Sequence, residues 1–234
     1  MEKAQKIIPV ASEPENLIEL AEAYGVDCNN IVFSQVYSLE PEELEHIPKP
    51  VVSIFFVFPI GEPEGAIEKR HKDDVDPSTY LNNPEKIPFF AHQVIGNLCG
   101  TMAMIHSIAN SIPAVSIKKG SWIDKFITAT KDKTPAERGV YIAESNDLLE
   151  LHNKNALKSD VPVLDEKCDT HFTCFIINDG VLWELDGRKP YPINHGPCDD
   201  ILKKFIAIVH EDFFANLSDD DALRISILTM SKKT

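Results

Sequence analysis

Residues 93–109 read Gln93-Val-Ile-Gly-Asn-Leu-Cys99-Gly-Thr-Met-Ala-Met-Ile-His-Ser-Ile-Ala. The second half of this stretch is so apolar that it predicts a buried helix, and a Gly-Asn turn stands just before it. Cys99 is therefore predicted to lie in the first helical turn. The unpaired backbone amides and the dipole at a helix N-terminus favour an anion, and the thiolate is the nucleophilic form of cysteine. The stretch thus predicts a cysteine nucleophile.

Gln93 precedes Cys99 by six residues. A glutamine amide near a nucleophile can donate a hydrogen bond to the oxyanion of a tetrahedral intermediate. The backbone N–H of Cys99 is the natural second donor. Gln93 is therefore a candidate for stabilising negative charge during acyl transfer.

A histidine and an aspartate flank a predicted β-hairpin further along the chain. His171 opens one apolar run, Asp186 ends the next, and Asn178-Asp-Gly180 between them is a hairpin turn signal. Two antiparallel strands would bring Asp186 within reach of His171. A carboxylate beside an imidazole orients the ring and stabilises its charged form, while the other ring nitrogen faces the thiol.

Each of these residues also has a simpler interpretation. A cysteine beside an apolar helix is commonly an inert core residue, since free cysteine is among the most buried residue types. A histidine at a strand start is often only a surface or hydrogen-bonded residue, and an aspartate before glycine often marks a turn. The combination of all these features with an upstream glutamine favours a cysteine hydrolase.

The spacing Cys168-x2-His171-x2-Cys174 invites comparison with a metal site. On an extended strand, however, Cys168 and Cys174 share one face and His171 points to the other. No second cluster lies nearby in the sequence, so we predict no zinc site.

Three segments resemble the signatures of the ubiquitin carboxyl-terminal hydrolases, above all those of the short single-domain members. The segments are residues 93–110, 165–172 and 185–196, and the likeness continues through most of the chain. The resemblance implies that Cys99 is the nucleophile, His171 the general base and acid, Asp186 its orienting partner and Gln93 the oxyanion donor. It also implies a substrate, ubiquitin or a related modifier, and no metal or organic cofactor.

Leu98 departs from the family pattern, which usually has a small alanine before the nucleophile. A larger side chain there is expected to affect packing or helix register, and so the rate more than the reaction type. It leaves open a second hypothesis, a ubiquitin-binding protein that sequesters the modifier with negligible turnover. An unrelated papain-like protease fits poorly, because its cysteine and histidine lie roughly 130 residues or more apart.

The fold class predicted from the alternation of strands and helices is α/β, a layered domain with helices flanking a sheet. Residues 51–58 are uniformly apolar and predict a central strand covered on both faces. Helices are predicted over residues 14–24, 41–47, 122–129, 135–151 and 201–214, and further strands over 31–37 and 223–230. The resemblance adds a mainly antiparallel (α+β) sheet, a papain-like catalytic arrangement and a knotted backbone, with residues 1–234 as one catalytic domain.

Residues 61–86 are polar and Pro-rich, and residues 154–167 are polar without clear periodicity. The first segment is predicted to be a mobile excursion. The second resembles the family's crossover loop above the active site, which implies a preference for small adducts and short extensions at the ubiquitin C-terminus. A disordered linker with no gating role is the alternative.

The net charge of −14 argues against nucleic-acid binding, because phosphate contacts need clustered Lys and Arg. The acidic excess suits a basic partner, and the resemblance implies ubiquitin, although acidic surfaces also serve solubility alone. The chain has no apolar run of membrane-spanning length and no signal segment, so no membrane association is expected. Five irregularly spaced cysteines indicate a reducing compartment, cytoplasmic or also nuclear. We expect a monomer.

Overall fold

The computed structural model describes residues 6–60, 86–158, 169–214 and 217–233. The strands are β1 (Ile31–Gln35), β2 (Val51–Pro59), β3 (Thr170–Asn178), β4 (Val181–Leu185), β5 (Ile193–Pro197) and β6 (Ser226–Lys232). The helices are α1 (Pro14–Tyr24), α2 (Pro41–Leu44), α3 (Cys99–Asn110), α4 (Trp122–Thr130), α5 (Pro135–Ala143), α6 (Asn146–Ala156), α7 (Ile201–Ile208) and α8 (Asp219–Ala222). None of these helices is both long and apolar enough to cross a membrane.

The six strands form one sheet in the order β1-β6-β2-β3-β4-β5, and every neighbouring pair is antiparallel. This arrangement confirms the predicted α/β class with a mainly antiparallel sheet. The knotted backbone stays a prediction from the resemblance.

Strand β2 is central and covered on both faces, as its apolar sequence predicted. Phe55 and Val57 pack into one hydrophobic cluster, whereas Ile54, Phe56 and Phe58 pack into another. The alternation follows from the two-residue period of a strand. One cluster lies beneath α1 and α3, and the other lies beneath α7.

Helix α3 confirms the buried helix predicted from residues 93–109. It begins at Cys99, and its first ten residues are all buried. Ser107 of this helix is paired inside the core: its hydroxyl lies 2.6 Å from that of Ser53 on β2, and its carbonyl accepts the hydroxyl of Ser111, the C-cap residue. Pairing of this kind offsets the cost of burying polar atoms.

The single helix predicted over residues 135–151 is wrong, because the chain forms α5 and α6 with a break between them. Ser145 lies in the break, where its hydroxyl accepts the N–H of Leu148 and caps α6. The same hydroxyl accepts a hydrogen bond from the Trp122 indole at 2.8 Å. A serine hydroxyl can bond to nearby backbone N–H groups in place of helical carbonyls, so serine favours the start of a helix over its interior.

The other helix and strand boundaries differ from the predicted ones by smaller numbers of residues. Thr134 and Glu137 form a capping box at the start of α5, and Gly25 ends α1 at a φ of 107°. Helix α2 is shorter than predicted, β1 ends at Gln35, and β6 starts at Ser226 because α8 and its turn occupy the residues before it. Helix α7 continues into a π-helical turn over Val209–Phe213. Helix α6 runs to Ala156, so the irregular segment predicted over residues 154–167 starts later than predicted. The rest of that segment from residue 159, and residues 61–85 of the predicted excursion 61–86, lie outside the described residues.

A buried hydrogen-bonded chain connects three helices to the segment before α1. The Tyr24 hydroxyl lies 2.6 Å from that of Thr101, which lies 2.7 Å from His152 Nδ1. His152 Nε2 donates to the Ile8 carbonyl at 2.7 Å. Burial lowers the pKa of His152 to about 4, so the imidazole is neutral at pH 7 and can accept at Nδ1 while it donates at Nε2.

We expect the protein to lose stability as the pH falls from 6.5 towards 4. In this interval the unfolded chain binds a proton at His152 and the folded chain does not, so the free energy of unfolding falls with pH by up to about 1.4 kcal/mol per unit. His106, also buried with its pKa lowered to about 4, contributes in the same direction. Urea unfolding at pH 7 and pH 4.5 measures the effect.

His152→Gln should be less stable at pH 7 but show a shallower loss between the two pH values. His210→Gln, a substitution at an exposed position, is the control. An unchanged loss in His152→Gln would show that other groups cause the acid sensitivity.

Candidate active site

The structure brings the predicted cysteine, histidine and aspartate into contact. Cys99 is the first residue of α3, His171 is the second residue of β3, and Asp186 follows β4 directly. Asp179 and Gly180 have positive φ values of 50° and 71°, which make the tight turn of the β3–β4 hairpin. The hairpin therefore places Asp186 beside His171, as the sequence predicted.

The three side chains form a hydrogen-bonded line. His171 Nε2 lies 2.7 Å from Asp186 Oδ1, and both side chains are almost completely buried. The Cys99 thiol is in hydrogen-bond contact with the His171 side chain. Because Asp186 engages Nε2, the opposite ring nitrogen, Nδ1, is the one available to the thiol.

The interaction between His171 and Asp186 shifts the pKa of each side chain towards its charged form. Burial alone lowers the pKa of His171, but the Asp186 charge and hydrogen bond, together with the Cys99 contact, raise it to about 9. Burial raises the pKa of the Asp186 carboxyl, yet His171 and the backbone N–H of Arg188 hold it below its usual range. The arrangement therefore favours an imidazolium beside a carboxylate, which is the state that stabilises a neighbouring thiolate.

The thiol and the imidazole open onto a cleft of about 360 Å³. The cleft is lined by Ile60, Gln93, Gly96, Asn97, Cys99, Asp169, Thr170, His171 and Arg188. Asp186 is not part of the lining and lies behind His171. A substrate in the cleft would therefore meet the thiol, the imidazole and Gln93, and would not meet the carboxylate.

Gln93 lines the same cleft, and its position is fixed from two directions. Its backbone N–H donates to the Gly187 carbonyl at 2.7 Å, and its side-chain amide donates to the Ile95 carbonyl at 2.9 Å. A primary amide carries two N–H bonds, so one donor remains after the bond to Ile95. All four predicted residues thus lie at one site.

Three residues that line the cleft are not among those predicted from the sequence: Asn97, Arg188 and Asp169. Asn97 has a φ of 61°, and its side-chain amide donates to the Ile7 carbonyl at 3.1 Å. Asparagine tolerates this left-handed backbone better than most residues, so the Gly-Asn turn was its only signal. Arg188 and Asp169 add charges of opposite sign at the cleft, and neither has a distinguishing local pattern.

Leu98 is buried in the hydrophobic core with 1% of its surface exposed. It is the N-cap of α3 and is not among the residues that line the cleft. The Leu98 side chain therefore packs into the core, and α3 begins at the next residue, Cys99. An effect of Leu98 on the rate stays a prediction.

Within the described ranges, no three His, Cys, Asp or Glu side chains are grouped so that they could hold a metal ion. Cys174 is fully buried in the core, and Cys168 lies outside the described residues.

A family model described as ubiquitin carboxyl-terminal hydrolase, family 1, matches residues 7–214. The chain belongs to this family. This match confirms the resemblance seen in the sequence. It also confirms that the chain is a cysteine-type ubiquitin carboxyl-terminal hydrolase.

Two relatives show how far the likeness to other ubiquitin carboxyl-terminal hydrolases extends. The chain is 29% identical to ubiquitin carboxyl-terminal hydrolase 3 of Arabidopsis thaliana, over 99% of this chain and 96% of that protein. It is 31% identical to human ubiquitin carboxyl-terminal hydrolase isozyme L1, over 88% of this chain and 90% of that one. The similarity therefore spans nearly whole proteins.

A solved structure of another ubiquitin carboxyl-terminal hydrolase has the same fold. The catalytic domain of UCH37 from Trichinella spiralis, bound to ubiquitin vinyl methyl ester, superposes with a TM-score of 0.78. The match covers 98% of this chain and 97% of that one at 21% identity.

Proposed function

We propose that this chain hydrolyses the bond after the C-terminal glycine of ubiquitin through an acyl-enzyme on Cys99. The observation that carries the proposal is the buried line of Cys99, His171 and Asp186 at the edge of the cleft. Family membership supports the same reaction class.

The geometry suits each step of a thiol hydrolase. The Cys99 thiolate attacks the glycine carbonyl, and the tetrahedral oxyanion accepts hydrogen bonds from the Gln93 amide and the Cys99 backbone N–H. The His171 imidazolium then gives its proton to the leaving amine, and a thioester remains on Cys99. A water molecule, deprotonated by His171, attacks the thioester and releases ubiquitin with a free carboxylate. Asp186 keeps the imidazole oriented and stabilises its charge throughout.

Ubiquitin is the partner that the family and the charge favour. The UCH37 catalytic domain was solved with a ubiquitin derivative, and the net charge of −14 suits a basic partner. By family resemblance we also propose small adducts and short peptide extensions as leaving groups, although the crossover segment lies largely outside the described residues. Related modifiers remain candidate substrates.

We further propose that residues 1–234 form one catalytic domain that acts as a monomer in the cytoplasm, and also in the nucleus. The sheet supports a single domain, because it joins strands from residue 31 to residue 232.

The test is a reaction with two ubiquitin derivatives. Ubiquitin with a C-terminal fluorophore amide should release the fluorophore, and ubiquitin vinyl methyl ester should form one covalent adduct, which peptide mass spectrometry should locate on Cys99. A short peptide extension should be removed faster than a second folded ubiquitin. Adduct formation at another cysteine, or none by a folded protein, would contradict the proposal.

Leu98→Ala should change the stability of the protein more than its activity. Removing this buried side chain should lower the free energy of unfolding by about 2–5 kcal/mol, as for other leucines in packed cores. Because Leu98 does not line the cleft, kcat at 20 °C should stay within about threefold of the parent value. Urea unfolding and fluorophore release measure the two effects.

A large gain in kcat on Leu98→Ala would contradict this prediction. It would instead favour the sequestering protein, in which Leu98 suppresses turnover.

A further inference from the structure

The segment that carries Gln93 has no regular secondary structure, since residues 88–94 belong to neither a helix nor a strand. A donor on such a segment needs support from elsewhere in the fold if it is to stay in place. Part of this support comes from α3, where Asn110 and His106 hydrogen-bond to the backbone of Phe89 and Ala91. The contacts nearest to Gln93 on the preceding side come from α5, a helix that contributes no residue to the cleft.

Helix α5 contacts the backbone of this segment at three points. Arg138 Nη1 donates to the Phe90 carbonyl at 2.9 Å. The His92 N–H donates to the carbonyl of Pro135, the first residue of the helix, at 2.9 Å. Gly139 lies so close to the His92 carbonyl that a Cβ at this position would be 2.4 Å from the oxygen. The chain therefore runs directly against the helix just before Gln93.

Arg138 is itself held rigidly. It donates to the carbonyl oxygens of Thr130 and Lys131, each at 3.0 Å, and its guanidinium lies 4.0 Å from the centre of the Phe89 ring. Its bond to Phe90 is thus one of several that join the end of α4, the start of α5 and the segment before Gln93.

Gly139 is unusual in the middle of a helix, where glycine is the poorest residue after proline. Its backbone is not left-handed, so conformation does not require glycine there. Glycine is needed there because a side chain would clash with the His92 carbonyl. Any larger residue must push the chain away one position before Gln93.

We infer that α5 is a positioning platform for the oxyanion donor, and that Arg138 and Gly139 are positioning residues for Gln93. Helix α5 is hydrogen-bonded to the chain at Phe90 and His92, and the Gly187 carbonyl accepts the N–H of Gln93. The inference rests on the proposed function, because it assumes that the Gln93 amide stabilises the oxyanion.

The test is a double-mutant cycle between Gly139→Ala and Gln93→Ala, measured as steady-state release of a fluorophore from ubiquitin. Gly139→Ala alone should lower kcat about tenfold with little change in KM, since a displaced donor is lost mainly in the transition state. In the Gln93→Ala background the same change should have almost no further effect on kcat.

A second measurement distinguishes displacement of Gln93 from general damage to the active site. The alkylation rate of Cys99 by iodoacetamide, followed on the Cys99 peptide by mass spectrometry, depends on the thiol and the imidazole and not on an oxyanion donor. It should be the same in Gly139→Ala and in the parent. Val140→Ala, at an adjacent half-exposed position of α5, should leave kcat and alkylation unchanged.

Equal losses of kcat in both backgrounds, or parental kcat in Gly139→Ala, would overturn the inference while leaving the proposed function intact. If the parent releases no fluorophore, or Cys99→Ala releases it as fast, the proposed function itself fails. Arg138→Gln, which is too short to reach Phe90, replaces Gly139→Ala in the cycle if that variant does not fold.

Discussion

Cys99→Ser is expected to abolish hydrolysis of ubiquitin derivatives while leaving ubiquitin binding intact. A serine hydroxyl is a far weaker nucleophile than a thiolate, and its proton can be removed only by a neutral imidazole, whereas the Asp186 charge favours the imidazolium of His171. We expect kcat/KM to fall by at least about 10⁴-fold, as when a nucleophile is removed from a catalytic triad. Fluorophore release and calorimetric titration with ubiquitin measure the two quantities.

Cys198→Ser is the matched control, because Cys198 is a free, partly exposed cysteine in the stretch between β5 and α7, and it does not line the cleft. It should retain the parental rate. Appreciable turnover by Cys99→Ser would remove Cys99 from its assigned role, and loss of ubiquitin binding would show that the substitution damages more than the chemistry.

Asp186→Asn is the second substitution with a large expected effect. The asparagine amide can donate to His171 Nε2 and so favour the tautomer that carries its proton on Nδ1, which cannot accept the thiol proton. It also removes the charge that raises the pKa of His171 to about 9 against the effect of burial. We expect kcat to fall by about 10²-fold or more.

The pH profile should change in a definite direction. In the parent, the imidazolium persists until the pH rises through about 9, so the alkaline limb of kcat/KM should lie near that pH. Without the carboxylate charge, burial lowers the pKa of His171 and the alkaline limb should move to lower pH. Asp179→Asn, in the turn of the same hairpin where asparagine tolerates positive φ, is the control. A parental rate and profile in Asp186→Asn would mean that His171 has another partner.

The parts of the site that the sequence predicted are those coded by local patterns. Cys99 follows a turn and starts an apolar helix, and the Asn178-Asp-Gly180 turn sets the hairpin that brings Asp186 to His171. Such signals lie within a few residues of each other, so periodicity and turn chemistry are enough to find them.

What the sequence could not predict depends on contacts between distant residues. Arg138 and Phe90 are 48 positions apart, and nothing in either neighbourhood indicates that they meet. The break at Ser145 is hidden for a related reason. The helical spacing of apolar residues continues through it, and the helix is interrupted by the cap that Ser145 forms in the folded state. The segment of Gln93 has no periodicity, so only the chemistry of its amide and the family resemblance indicate its role.

The position of β6 in the sheet has a consequence for synthesis. Among the described strands, β1 pairs with β6 alone, and β6 also pairs with β2. Within this sheet, residues 31–35 therefore gain their strand partner when residues 226–232 have been made. A growing chain that has left the ribosome only as far as β5 can form the β2–β5 meander and the hairpin of His171 and Asp186, but one edge of β2 stays open. Exposed strand edges promote aggregation. Until β6 has been synthesised, the nascent protein therefore carries a nearly complete site on an incomplete sheet.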